Sequence, residues 1–238
     1  MKKIFLVVLL CILLTFIGCS DKVQIDEFYE DVMADGKIVV LVDAGHGLGD
    51  PGAMNDENLG DVTEADINFA VATYLASELE ERGYTVIMSH DGIVKPHTEY
   101  DDELESYGPG ERADYSNSTD ADIFVSIHCD SYPDNVDVYG TRVYYAVDKQ
   151  YDTKYDATLT KAIAKKVDSA FESDKDVVVR KMVGQDSYTV LYKTAVPAVL
   201  VECGFITNKG DAEKLIDTDW QIKFAKSLAD GIESCFEK

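Results

Sequence analysis

Positive charge is scarce in this sequence. Its 238 residues carry 22 Lys and Arg against 45 Asp and Glu, a formal net charge of −23. So acidic a surface excludes nucleic acid, and any membrane bound by charge alone, as an electrostatic partner. It reads instead as a device for solubility. Cysteine is equally uninformative as a scaffold: none of the five lies in a CxxC pair, so neither a disulfide framework nor a zinc ribbon is encoded. Cys129, Cys203 and Cys235 are expected as small buried side chains, with a Cys129–Cys203 disulfide as the alternative in an oxidising compartment. There is no internal repeat and no low-complexity tract. The one long apolar run, Ile4–Ile17, is about fourteen residues, short of the roughly 20 that span a bilayer as a helix.

That run has another reading. Lys2 and Lys3 precede it, and Phe16-Ile17-Gly18-Cys19 closes it. A basic flank, a short apolar stretch and a small residue before the cleavage point make a secretory signal. The terminal tetrapeptide resembles a bacterial lipobox. That resemblance implies that residues 1–18 are removed and that Cys19 carries lipid, which would hold a soluble domain on a membrane face. Residues 19–36, rich in Asp and Glu, are expected to form a short solvated tether with room for one helical turn. Residues 37–238 then form one domain, with 46% hydrophobic composition across the chain to build a core.

Within that domain, apolar runs alternate with helical stripes. Ile38–Val42, Tyr84–Met88, Asp122–His128, Tyr139–Ala146 and Ala198–Cys203 read as strands, with weaker strands at Asp176–Val183 and Tyr188–Tyr192. Thr63 followed by Asp66 predicts a capped helix over 64–82, ended by Gly83. Helices are also expected at 112–117, along the stripe Leu159–Phe171, at 208–215 and at 220–236. The expected fold is α/β: a single domain with a mostly parallel twisted sheet flanked by helices on both faces.

Three of the strands end on residues suited to chemistry. Ile38–Val42 leads into Asp43-Ala-Gly-His46, Ile123–Ile127 leads into His128, and Ala198–Val201 leads into Glu202. In open α/β sheets ligands gather at the carboxyl ends of strands, so these residues are placed to meet. A catalytic zinc takes three N or O ligands and leaves a position for water. His46 and His128 are the natural nitrogen ligands. Glu64, in the first turn of a helix that follows a Gly-rich loop, is the expected third. The loop itself superficially matches a dinucleotide-binding turn. However, Asp50 and Pro51 stand where a helix should open, and Asp50 would repel a pyrophosphate.

Four segments in order, Asp43-Ala-Gly-His-Gly47, Thr63-Glu-Ala-Asp-Ile-Asn68, Ser126-Ile-His128 and Val201-Glu-Cys-Gly-Phe-Ile-Thr-Asn208, resemble the zinc-dependent N-acetylmuramoyl-L-alanine amidases of the Amidase_3 type. The resemblance runs from about Lys37 to Phe236. It implies that His46, Glu64 and His128 bind Zn2+ and that Glu202 is the catalytic carboxylate. The implied reaction is hydrolysis of the amide between the lactyl group of N-acetylmuramic acid and L-alanine in peptidoglycan. Candidate substrate contacts are Asp130, Arg112 and Asn208, with a structural ion pair the favoured role for Arg112. The chain departs from the family in two places. His128-Cys129-Asp130 replaces a His-Ala-Asn pattern, and Ser89-His90 stands where Thr-Arg is usual. His90 and His97 are treated as loop histidines, with His90 within possible reach of the cleft. The segment 130–138 is too short for the inhibitory helix of certain relatives, so the site is expected to be open. The expected partners are peptidoglycan and a membrane through the lipid anchor, with no nucleic acid, in a monomer outside the cytoplasm. Rival expectations are a zinc peptidase of stem peptides and an inactive wall-binding lipoprotein.

Overall fold

The computed structural model describes residues 26–47, 49–92, 107–148 and 157–236. Residues 26–32 are helical and are called α1 below. The later elements are β1 (Val39–Ala44), α2 (Asp56–Leu59), α3 (Glu64–Glu81), β2 (Thr85–Met88), α4 (Pro109–Asn117), β3 (Ile123–Asp130), β4 (Arg142–Ala146), α5 (Ala157–Ser173), β5 (Val183–Gln185), α6 (Thr189–Lys193), β6 (Ala198–Phe205), α7 (Lys209–Leu215) and α8 (Thr218–Glu233). The signal segment, Cys19 and His97 lie outside the described residues.

Six strands form one sheet in the order β2-β1-β3-β6-β4-β5. All neighbours pair parallel except β4 with β6. The buried central strands β1, β3 and β6 are runs of Val, Ile, Leu and Phe, as a sheet covered on both faces requires. Alternation divides their side chains. Val40, Val42, Ile123, Val125, Ile127, Val199 and Val201 pack with α3, α5 and α8 in the larger core. Val39, Leu41, Phe124, Ala198 and Leu200 pack on the other face, where Tyr115 of α4 and Val190 and Leu191 of α6 cover them. Helices therefore flank both faces, as expected.

α3 begins where the sequence places it. The Thr63 hydroxyl accepts the Asp66 N–H at 3.2 Å, and Asp66 accepts the Thr63 N–H at 2.9 Å, closing the capping box. This start fixes the position of Glu64.

Several expectations need correction. Tyr188–Tyr192 is not a strand: Tyr188 caps the short helix α6, which turns Val190 and Leu191 inward together. Over Asp176–Val183 the chain makes only an isolated bridge, Thr141 with Val179, before β5 begins at Val183. α4 starts at Pro109, three residues early, because proline suits the first helical position. The tether is also shorter than expected. Within 19–36, Phe28 and Val32 are buried, and the Phe28 ring meets Phe236 at 5.7 Å between centroids. Acidic composition concealed these two apolar anchors four residues apart on α1.

Candidate metal centre

The chain leaves β1 toward β2 and returns to β3 on β1's other flank. Strand order thus reverses between β1 and β3, the point where open α/β sheets leave a crevice at the strands' carboxyl ends. Gly45 follows β1 and donates its N–H to the Ile127 carbonyl at 2.9 Å. His46 then takes φ +66°, the left-handed region, and is the one non-glycine residue to do so among the described residues. Such a conformation costs of order 1–3 kcal/mol and needs support from its surroundings. That support is visible: Gly47 and Asp50 exchange backbone hydrogen bonds, and Asp50 lies 2.7 Å from His46 Nδ1. Asp50 thereby accepts the Nδ1 proton and leaves His46 Nε2 as a lone-pair donor.

His128 lies beside Glu202 across the β3–β6 ladder. Gly45 has no room for a side chain here, because a Cβ would sit 2.3 Å from the His128 ring. Glu64 closes the set from α3. Its Oε1 lies 3.2 Å from His46 Nε2 and 3.1 Å from His128 Nδ1. The Cys129 N–H reaches the same oxygen at 3.1 Å and Asn68 Nδ2 at 3.3 Å, while Oε2 accepts the Ala53 N–H at 2.8 Å. Donor atoms of His46, Glu64 and His128 all lie within 4.8 Å of one another. Two imidazoles and one carboxylate converging from three separate elements fit a divalent transition-metal ion such as zinc.

The electrostatics agree with ligand duty. Burial alone would raise the Glu64 carboxyl, but hydrogen bonds and charge from His128 and His46 outweigh it and hold Glu64 far below the usual carboxylate range. Glu202 goes the other way. Burial, with Asp130 and Glu64 adding negative charge, pushes it well above the ordinary value, and Arg142 only partly opposes this. Glu202 is 8% exposed, and its Oε2 has no hydrogen-bond partner among the described residues. The cleft therefore holds two acids whose surroundings shift them in opposite directions, Glu64 downward and Glu202 upward.

These groups share a cleft of about 430 Å³. Its walls include His46, Glu64, His128, Glu202, Asp130 and Arg112. Arg112 lies in a buried ion pair, with Nε 2.8 Å from Asp43 Oδ1, and Ser126 donates to Asp43 Oδ2 at 2.7 Å. Burial raises and Arg112 lowers the Asp43 carboxyl, and the net shift is downward. Asn208, one of the candidate substrate contacts, caps α7: it accepts the Asp211 N–H and donates to the Val136 carbonyl. His90 does not reach the cleft. It is buried, with Nε2 2.9 Å from the Ala44 carbonyl and Nδ1 accepting the Gly92 N–H, which assigns the proton to Nε2. Cys129 and Cys203 point into the opposite core and are free thiols. Sequence reasoning missed Asp50 and Asn68 as supports of the ligands. An acid four residues beyond a loop histidine was the available signal for Asp50.

The model of the Amidase_3 family, described as N-acetylmuramoyl-L-alanine amidase, matches residues 40–234. The Bacillus subtilis protein YqiI, itself uncharacterized, is 31% identical over 204 residues, covering 86% of this chain and 87% of its own. The N-acetylmuramoyl-L-alanine amidase LytC of Bacillus subtilis is 28% identical over 197 residues, covering 83% of this chain; the chain spans only 35% of LytC. Among solved structures, N-acetylmuramoyl-L-alanine amidase from Clostridium difficile 630 aligns with TM-score 0.70 and 26% identity, covering 83% of this chain and 96% of its own. The amidase AmiC2 of Nostoc punctiforme aligns with TM-score 0.66 and 29% identity, covering 84% and 97%.

Proposed function

The chain belongs to the Amidase_3 family of N-acetylmuramoyl-L-alanine amidases, and from that premise we propose that it hydrolyses the amide between the N-acetylmuramic acid lactyl group and L-alanine of peptidoglycan. The observation that carries this reading is the convergence of His46, Glu64 and His128 beside the buried Glu202 in one open cleft. His46, Glu64 and His128 are the residues that would hold zinc. When bound there, zinc supplies Lewis acidity and lowers the pKa of water toward about 7.

The chain's own residues supply the remainder. Glu202 accepts a proton from water as its oxygen adds to the lactyl carbonyl carbon, then delivers that proton to the alanine nitrogen as the C–N bond breaks. The products are a lactyl carboxylate and a stem peptide with a free L-alanine amine. Asp50 orients His46, and the Ala53 and Cys129 N–H groups hold Glu64 in its ionised form. Cys19 anchors the protein through lipid on the outer face of a bacterial membrane, as the lipobox resemblance implies, which would bring the domain to its polymeric substrate.

Digestion of purified peptidoglycan by a fragment spanning residues 20–238 tests this, with fragments identified by mass spectrometry. New L-alanine amino termini, lost with a chelator and restored by zinc, are the expected result. Cleavage within the stem peptide would replace the amidase by a peptidase. Metal loading without any hydrolysis would leave a wall-binding protein.

A further inference from the structure

His90 is the buried histidine that the mechanism does not use. It is 2% exposed and lies just beyond the end of β2. Gly92 donates its N–H to Nδ1 at 3.0 Å. A backbone N–H can only donate, so Nδ1 carries the lone pair and Nε2 carries the proton. That proton is directed at the Ala44 carbonyl, 2.9 Å away. The ring stacks on Phe69 of α3, with centroids 5.8 Å apart and planes 14° apart. It meets the Tyr107 ring edge-on at 6.3 Å.

The acceptor gives this histidine its interest. Beyond β2 the parallel ladder gains one more rung, from the Ser89 N–H to the Val42 carbonyl at 2.9 Å. The next β1 carbonyl on that side belongs to Ala44, which is fully buried. A buried carbonyl left unpaired is costly, and the His90 side chain supplies the missing rung. The same peptide group donates at its opposite edge, where the Gly45 N–H meets the Ile127 carbonyl at 2.9 Å. The plane joining Ala44 to Gly45 is thus pinned from the β2 side and from β3 at once. Asn68 pins the following plane through the Gly45 carbonyl at 3.1 Å. His46 comes next, at φ +66°. The His90 ring also underlies the far side of this turn: a Cβ on Gly47 would come 3.0 Å from its Cε1. His90 therefore touches the turn both before and after His46.

We propose that His90 is a positioning residue of the metal centre. Its neutral imidazole, protonated at Nε2, holds the peptide between Ala44 and Gly45. That peptide sets the direction in which His46 presents its own Nε2 toward Glu64 and His128. His90 acts through the backbone and takes no ligand position.

The inference rests on His46, Glu64 and His128 being zinc ligands. The full chain in detergent serves for the test. Zinc affinity is read by competition with a chromophoric chelator, and site geometry by the visible absorption of the Co2+ form. His90→Gln places an amide nitrogen where Nε2 stood and keeps the bond to Ala44, but loses the aromatic ring. His90→Phe keeps the ring on Phe69 and loses the bond. Positioning predicts zinc bound about tenfold more weakly by His90→Phe, with an altered Co2+ spectrum, the scale set by loss of an outer partner of a metal ligand. His90→Gln should keep the affinity and spectrum of the wild type. The opposite order makes His90 a packing element and overturns the inference, as does equal loss in both. His90→Asn decides the matter if His90→Phe does not fold. Its amide can accept the Gly92 N–H but is too short for Ala44, so it should also bind zinc about tenfold more weakly; wild-type affinity there overturns the inference. A wild-type chain that takes up no zinc overturns the ligand reading and the inference together, whereas wild-type affinity and spectrum in His90→Phe overturn the inference alone.

Discussion

His46 occupies backbone territory that favours glycine, and Asp50 does two things for it. It closes the turn through its backbone, and it fixes the imidazole through its carboxylate. Asp50→Ala should therefore lower zinc affinity by about ten- to a hundredfold with all three ligands intact, measured by competition with a chromophoric chelator. The three candidate ligands that the structure brings together were legible in the sequence because each stands at the end of an apolar run or at a capped helix start. Asp50 and Asn68 were not legible as supports. Asn68 Nδ2 reaches the Gly45 carbonyl 23 positions away, and no local pattern marks such a partner. Asn208 belongs to a recognisable motif, and its side chain serves the Val136 carbonyl and the start of α7.

Elements were legible where burial dictated composition. The Val, Ile, Leu and Phe runs that open β1, β3 and β6 are buried on both faces and turn polar only toward their carboxyl ends. The run Tyr188–Tyr192 failed because four apolar and aromatic residues around Thr189 suit a strand and a buried helical turn equally well. At this scale the ion pair between Arg112 of α4 and Asp43 of β1 is open to test. Both partners are buried, so Arg112→Leu leaves an uncompensated carboxylate and should cost about 3–5 kcal/mol, read from urea unfolding. α5 gives a pH test. Burial and its i,i+4 neighbour Glu172 raise the Asp168 carboxyl to about 6. A carboxyl raised on folding favours the native state only when protonated, so Asp168 weakens the fold above pH 6 and ceases to do so as pH falls through that value toward 4. Asp168→Asn should melt higher than wild type at pH 7.5, and the gap should close by pH 4.

For the whole molecule, the mostly parallel sheet flanked by helices follows from the alternation of strands and helices that the sequence displays, whereas the strand order and the antiparallel β4–β6 pair do not. The α1 segment does not follow from it. A fragment cut at Lys37, where the motifs begin, loses Phe28 and Val32 from the larger core. Loss of a buried Phe alone costs about 3–5 kcal/mol. For a domain of this size each kcal/mol shifts Tm by about 2–4 °C, so the Lys37 fragment should melt well below one that begins at residue 20. Anchoring is a separate matter, decided by labelling with radioactive palmitate: Cys19→Ser should abolish incorporation and release the protein from membranes.

The division of labour between ligands and base is the central claim, and paired measurement of metal content and turnover in Glu202→Gln tests it most directly. The expected result is one zinc per chain, as in the wild type, with kcat on muramoyl-L-alanine bonds lower by about a thousandfold. Wild-type turnover, or loss of the zinc along with the activity, would contradict it.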